Sequence, residues 1–384
     1  MNILIIGSGA REHAMAKAFA RSAQAPTLYC YGTTVNPGIH QLSKEYCTGD
    51  ITNCAAVVAK AKIWEIDLAI IGPEAPLENG MADALWQAEI PTIGPKKALA
   101  QIETSKEFAR DLMQTYQIAG LPRYQKFSSL DKVEPFLQEL GEGNYVIKAN
   151  GLMGGKGVKV AGEHLHSLAE AKQFCQEILA KKQSVIIEEK LIGQEFSFMC
   201  FADGKHLIPM PLVQDHKRAF NGDRGPNTGG MGSYSDTNHS LPFLMAEEVE
   251  QAFAINKAVY NALTTECMES YIGILYGSFI ATKKGVYVIE FNARFGDPES
   301  LNVLSILESD FLTLCQAMIK GELTEEKAKF YKQATVCKYT VPEGYPDKPL
   351  AHFPVDFSKV RDQAHLFLAS VGQVNGQVLA MGSR

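Results

Sequence analysis

Three textures of apolar and polar positions succeed one another along the chain. Up to about residue 103, unbroken apolar runs (NILIIG from Asn2, TLYCYG from Thr27, DLAIIGP from Asp67) alternate with amphipathic stretches such as REHAMAKAFARSA. Runs apolar on both faces, separated by helices, predict a parallel sheet covered on both sides. From about 104 to 330 the texture changes. YVIKA, a glycine-rich turn and VKVAG read as a hairpin, and SVIIEEKL, FSFMCFADG and LIPMPLVQ read as further strands. FLMAEEVEQAFAINKAVYNALTTE reads as one long helix, so this region predicts an α+β unit. From 331 to 384, ATVCKYTVPEGYP precedes HLFLASVGQVNGQVLAMGSR, whose Asn375-Gly376 predicts a hairpin turn. A chain that stops just after a strand leaves that strand without a covering element.

Composition narrows the function. With 384 residues, 46% hydrophobic, there is room for two or three full-sized cores. A net charge of -6 lacks the basic field that non-specific nucleic-acid binding needs. No apolar run approaches the 18 or more residues of a spanning helix, so no membrane partner is expected. MNILIIGSG has no basic region before its apolar run and reads as a buried first strand, not a signal peptide. The eight cysteines form no C-x-x-C pair, as expected of free thiols in a reducing cytoplasm.

The most informative segment is VIEFNARFGDPE, 288–299. In a strand, Glu290, Asn292 and Arg294 point to one face. A carboxylate and an amide oxygen suit Mg²⁺ beside nucleotide phosphates. The plainer alternative is an edge strand with a solvated polar face. KANGLMGGKG sets Lys148 and Lys156 around four glycines. It fails as a P-loop, because Gly157 stands where Ser or Thr would hold Mg²⁺ and the context is strand–turn–strand. A flap over nucleotide phosphates fits better, a flexible hairpin tip being the alternative.

GSGARE, from Gly7, follows the first strand and opens a helix, where N–H groups favour an anion. Glu12 stands where the dinucleotide fingerprint needs Gly or Ala, so a sugar-phosphate site is preferred over NAD, with a plain tight turn still open. Arg11 and His13 could add charge or hydrogen bonds there, although His13 could simply pack. GPEAPL, with Glu74, ends another strand at the same edge, as a ligand contact or as a Pro-stiffened loop. VIIEEKL with Glu195 suits adenosine, and QDHKR lies close to GPNTGGMG, which reads as a glycine-rich loop offering backbone N–H groups.

GSGAREHA, GPEAPL, GPKKALAQIETSK, VIKANGLMGGKGV, QDHKR, GPNTGGMGSY and EFNARFGDPE occur in this order. Together they make the chain resemble, over its whole length, the glycinamide ribonucleotide synthetases (phosphoribosylamine–glycine ligases) of the ATP-grasp superfamily. The resemblance implies an N-terminal parallel-sheet (pre-ATP-grasp) domain over 1–103 and an ATP-grasp domain over 104–330. That domain would carry a mobile flap subdomain at about 123–192. A small β-rich C-terminal domain over 331–384 would be incomplete relative to the family. It further implies a cytoplasmic enzyme, a monomer or weak homodimer, joining glycine to 5-phosphoribosylamine with ATP. The cofactor metal would be Mg²⁺, with Mn²⁺ as an alternative.

Carried onto matching positions, Lys106, Lys148 and Lys156 would contact ATP phosphates. Glu188, Glu189, Leu191 and Glu195 would hold adenine and ribose. Glu290 and Asn292 would hold the metal. Asp215, Arg294 and Asp297, with Asn227, Thr228 and Gly229, would face glycine and the acyl phosphate. Gly9, Arg11, Glu74 and Pro76 would line the phosphoribosylamine site. The chain departs from the pattern at Gly193-Gln194-Glu195, at Tyr276-Gly277-Ser278 and in GTTVNPGI. Two alternatives remain at this stage: another ATP-grasp carboxylate–amine ligase, or a nucleotide-binding paralogue that has lost catalysis.

Overall fold

The computed structural model describes residues 1–152, 157–222 and 224–384. Strands Ser43–Thr48, Thr27–Gly32, Asn2–Ile6, Leu68–Ile71 and Thr92–Ile93 lie in that order in one parallel sheet. Asn2–Ile6 and Leu68–Ile71 are buried almost throughout, as their apolar runs require. Ser43–Thr48 is a half-exposed edge strand, and its polar SKEYCT gives no apolar signal. The strand order reverses between Asn2–Ile6 and Leu68–Ile71, so the loops after these two strands flank a crevice.

The central antiparallel sheet has the order Leu207–Pro209, Gly193–Asp203, Ile272–Thr282, Gly285–Asn292. Helix Ala246–Cys267 packs on one face and helix Phe311–Lys320 on the other. Two continuous apolar cores each draw on both sheets. One joins Leu4 and Ile71 to Leu275 and Phe279, and the other joins Ile3 and Phe19 to Phe201 and Leu312. The Gly94 N–H donates to the Ile272 carbonyl at 3.1 Å, linking the sheets end to end.

A third, antiparallel sheet sits apart with its own core around Phe136, Tyr145, Ile147 and Ile187. Its order is Tyr124–Phe127, Val185–Glu189, Tyr145–Ala149, Val158–Val160, with helices Val133–Leu140 and Leu168–Ala180 against it. This is the flap sheet expected from YVIKA and VKVAG.

Three expectations need correction. GPNTGGMG is not a loop. It lies in strand Arg224–Ser235, which pairs with Gln214–Phe220 as a long bulged hairpin and with Thr335–Lys338 on its other side. The register shifts accommodate glycines that an even ladder would not need. LIPMPLVQ is not one strand: it is broken between Leu207–Pro209 and Gln214, which opens strand Gln214–Phe220, because Pro209 and Pro211 cannot donate to a ladder. The long helix starts at Ala246, where the Glu248 carboxylate accepts the Met245 N–H at 2.8 Å.

The terminal hairpin pairs Val371–Val374 with Gln377–Ala380 through Asn375 and Gly376, at φ 50° and 81°. Positive φ at both turn positions is the geometry that Asn-Gly favours. The preceding HLFLAS is irregular and docks on the first helix instead of forming a strand. Among the described residues no helix is long and apolar enough to cross a membrane.

Candidate active site

One cleft lies where the flap sheet, helix Lys106–Thr115 and strand Gly285–Asn292 meet. Lys106, Lys148, Glu188, Glu290, Asn292, Arg294 and Glu74 all line it. Sequence spacing placed Glu290, Asn292 and Arg294 on one face, and the structure turns all three into this cleft. A bulge disturbs the ladder here: Ser278 faces Glu290, but Phe279 faces Val288. The extra residue, Ile289, is thereby freed from regular pairing. Its carbonyl accepts from Arg110 Nη2 at 2.8 Å and Lys148 Nζ at 3.0 Å.

The cationic side of the cleft is built on two elements. Ser105 caps helix Lys106–Thr115 by accepting the Phe108 N–H at 3.2 Å, which contributes about 1 kcal/mol. Lys106, at the start of that helix, donates to the Gly151 carbonyl at 2.9 Å. Burial lowers the Lys106 pKa, against the pull of Glu290. Lys148 stands on strand Tyr145–Ala149 and pairs with Glu188 at 2.8 Å. Burial opposes ionisation of Glu188, but Arg110 and Lys148 outweigh it and bring its carboxyl down to about 2. Both Glu188 oxygens are therefore engaged by cations within the protein. Lys156 lies outside the described residues.

The acidic side can hold a metal. Burial disfavours the Glu290 carboxylate, but Lys217, Lys148, Lys106 and Arg294 together lower its pKa and keep it ionised. Asn292 adds an amide oxygen, held by Arg294 Nη2 at 3.1 Å. Among the described residues no cluster of three or more His, Cys, Asp or Glu could form an all-protein cage. One ionised carboxylate plus one amide oxygen fits Mg²⁺, which keeps waters and takes substrate phosphate oxygens as its remaining ligands.

Arg294 joins this cleft to the crevice of the parallel sheet. Its Nη2 lies 2.8 Å from Glu103 Oε1, and its Nε lies 3.5 Å from Glu74 Oε2. The other Glu103 oxygen accepts the Ala293 N–H at 2.7 Å, so one carboxylate fixes both backbone and side chain. Burial raises the Glu103 pKa and Arg294 only partly offsets it. Burial also works against ionised Glu74, yet Arg294 and Arg11 lower its pKa on balance. Among the described residues Arg294 Nε is buried without a hydrogen-bond partner, although the guanidinium is otherwise held.

At the crevice, Gly9 precedes helix Ala10–Ala20 and its N–H donates to Glu12 Oε2 at 2.6 Å. Arg11 Nε reaches Glu12 Oε1 at 2.8 Å, and Arg11 Nη1 reaches the Phe295 carbonyl at 3.1 Å. Glu12 thus serves as an internal cap, and it packs against Gly7 and Gly72 so tightly that a Cβ at either would collide with it. Pro76 is buried in the short helix Glu74–Glu78. His13 does pack. Burial and Lys17 lower its pKa to about 3, and its neutral Nδ1 accepts the Leu368 N–H at 3.0 Å.

A neighbouring cluster surrounds Asp215. Its carboxylate lies 4.0 Å from Lys217 Nζ, which also reaches Glu195 at 3.3 Å. Burial raises the Asp215 pKa to about 7, Lys217 pulling the other way and Glu299 and Glu195 adding to the rise. Thr228 Oγ1 donates to the Lys217 carbonyl at 2.8 Å and accepts the Gly230 N–H at 3.0 Å. Asn227 and Gly229 are exposed on the same strand. Asp297 Oδ1 accepts from Tyr339 and from Arg384 Nη1, the latter at 3.0 Å, and Arg384 also donates to the Gly229 carbonyl. Glu189 and Leu191 follow Glu188 at the end of the flap strand, where Glu189 Oε1 accepts the Arg123 N–H at 2.8 Å.

Sequence reasoning missed Arg110, Glu103, Lys217 and Arg384. Arg110 had a signal: it lies four residues after Lys106, hence on the same helix face.

Comparisons with known proteins match the chain over its whole length. Residues 1–103 match the phosphoribosylglycinamide synthetase N domain, and residues 104–300 match its ATP-grasp (A) domain. A phosphoribosylamine–glycine ligase from Methanosarcina barkeri is 47% identical over all of this chain and 88% of its own length. One from Methanocella arvoryzae is 44% identical with the same coverage. The crystal structure of a phosphoribosylamine–glycine ligase from Thermotoga maritima superposes with a TM-score of 0.81 at 25% identity, covering 100% of this chain and 90% of that one.

Proposed function

Because this chain belongs to the phosphoribosylglycinamide synthetase family, we propose that the cleft between flap, central sheet and crevice is its ligase site. The enzyme joins glycine to 5-phosphoribosylamine at the expense of ATP, giving 5-phosphoribosylglycinamide, ADP and phosphate in purine biosynthesis. The observation that carries the site assignment is Arg294, whose guanidinium stands between the metal-type ligands Glu290 and Asn292 and the crevice acid Glu74.

Lys106 and Lys148, with Lys156, neutralise the ATP phosphates. Glu195 and the chain from Glu189 to Leu191 hold ribose and adenine, and Glu188 anchors the cation beside them. Glu290 and Asn292 hold Mg²⁺, with Mn²⁺ as a substitute. When bound, the metal neutralises charge on the transferring phosphoryl group. Asp215 and Arg294, with Asn227, Thr228, Gly229 and Asp297, position glycine. Gly9, Arg11, Glu74 and Pro76 position the phosphoribosylamine.

The free carboxylate of glycine is a poor electrophile. A carboxylate oxygen attacks the γ-phosphorus, ADP leaves, and glycyl phosphate forms. The neutral amine of phosphoribosylamine then attacks the glycyl carbonyl, the C–O bond to phosphate breaks, and the amine loses a proton. Lysines and Arg294 supply positioning and charge neutralisation, and a closed flap keeps water from the acyl phosphate. A cytoplasmic setting fits eight cysteines that all stand free.

ADP release measured with ATP, glycine, fresh phosphoribosylamine and Mg²⁺, each omitted in turn, tests this reading. Release that requires all four supports it. Release independent of glycine refutes it.

A further inference from the structure

Arg110 is almost fully buried, at the wall of the same cleft that Lys106 and Lys148 line. Its Nε and Nη2 grip the two oxygens of Glu188 at 2.6 and 3.0 Å. Nη2 also reaches the carbonyls of Val288 and Ile289 at 3.3 and 2.8 Å. Lys148 Nζ shares Glu188 Oε2 at 2.8 Å and the Ile289 carbonyl at 3.0 Å. The flap register explains why Lys148 and Glu188 meet. Glu188 faces Val146 and Lys148 faces Ile186, so the two charges are diagonal neighbours on one face. Helix, flap sheet and central sheet are thus pinned at one point.

The charges in this group decide what Lys148 can do. Two cations and one carboxylate leave a net charge of about +1 at the cleft wall. Without Arg110, Lys148 would be the one cation left bonded to Glu188 among the described residues, that pair would be neutral, and the ammonium would be held back from an incoming anion. An arginine suits the position because its planar fork satisfies both carboxylate oxygens while staying charged when buried.

We propose that Arg110 is a positioning residue for nucleotide binding: it neutralises Glu188 so that Lys148 keeps its charge for the ATP phosphates. This rests on the reading that Lys148 contacts those phosphates.

The test compares KM for ATP and for glycine in four full-length variants: Lys148→Ala, Arg110→Met, Arg110→Lys and the double variant Arg110→Met/Glu188→Gln. Lys148→Ala and Arg110→Met should each raise the ATP KM about tenfold or more, with the glycine KM within about twofold. The double variant restores the net charge, so its ATP KM should fall at least about threefold below that of Arg110→Met. Arg110→Lys keeps the charge but loses the fork, and should raise the ATP KM about threefold. That variant supplies the measurement if Arg110→Met proves too unstable to purify.

An unchanged ATP KM in Lys148→Ala overturns the phosphate role of Lys148 and this inference with it. A normal ATP KM in Arg110→Met beside an impaired Lys148→Ala overturns the inference alone. So does an equal rise in both KM values, or a double variant that recovers nothing, since a purely structural Arg110 gives those patterns. A rise in the ATP KM of Arg110→Lys as large as that of Lys148→Ala would also count against it, because the charge is retained in that variant.

Discussion

Arg294 Nη2 and Glu103 Oε1 meet at 2.8 Å, in a pair whose side chains are 16% and 5% exposed. Glu103 stands at the last turn of helix Lys97–Thr104, and Arg294 follows directly on strand Gly285–Asn292. One ion pair therefore fixes the junction of the parallel-sheet unit with the metal-type ligands. Arg294→Met leaves the Glu103 carboxylate buried and uncompensated. A loss of about 3 kcal/mol in unfolding free energy is expected, with turnover down by about a hundredfold or more. Urea titration and steady-state assay check the two effects separately. Wild-type stability with lost turnover would show that the guanidinium acts on substrate alone.

Glu290→Ala removes the ionised carboxylate of the proposed metal pair, Glu290 and Asn292. Turnover should fall below about a tenth of wild type at saturating Mg²⁺. Asn292→Ala should instead raise the Mg²⁺ concentration needed for half-maximal rate, because it removes a neutral oxygen ligand. A Glu290→Ala enzyme with more than that residual activity would move the metal elsewhere.

Glu188 should govern stability in acid. Its folded carboxyl sits at about 2 against an ordinary 4.5, because Arg110 and Lys148 overcome burial. The depressed pKa stabilises the fold fully above about pH 4.5, and that contribution is lost as pH falls through 2. It is on the order of 3 kcal/mol. Urea midpoints between pH 5 and 2.5 should drop more steeply for wild type than for Glu188→Gln. Parallel slopes would remove Glu188 from the account.

Asp215 has the opposite sign. Burial raises its carboxyl to about 7, so the charged form is disfavoured in the fold. Its contribution to stability is present below about pH 4 and is lost as pH rises through 7. If the carboxylate receives the ammonium of glycine, kcat/KM for glycine should climb across pH 7, and Asp215→Asn should flatten that limb. A wild-type profile flat from pH 6 to 8 would contradict the role.

The sequence made the parallel sheet readable because its buried strands are continuous apolar runs, and it made the last turn readable because Asn375-Gly376 suits a narrow set of backbone angles. Edge strand Ser43–Thr48 escaped notice, since a half-exposed strand needs no apolar run. GPNTGGMG misled because glycine content signals loops on average, whereas here bulges place the glycines in a strand. At the site, strand alternation put Glu290 and Asn292 on one face, with Arg294 just past the strand's end, but only the accompanying motifs favoured a site over a solvated edge strand. Glu103 and Arg110 were not singled out, because each looks like an ordinary surface charge until distant partners bury it. Glu103 meets residues 190 positions away and Arg110 meets Glu188 across 78. Glu12 looked like a flawed fingerprint, and its bond to the Gly9 N–H gives the reason it is an acid.

In the proposed reaction this cleft phosphorylates the glycine carboxylate before the amine attacks. Glycine labelled with ¹⁸O in its carboxylate, turned over with ATP and phosphoribosylamine, tests it most directly. Passage through glycyl phosphate carries one carboxylate oxygen into the released phosphate, so about one ¹⁸O should appear per phosphate formed. Phosphate free of ¹⁸O, with product still accumulating, would contradict the claim.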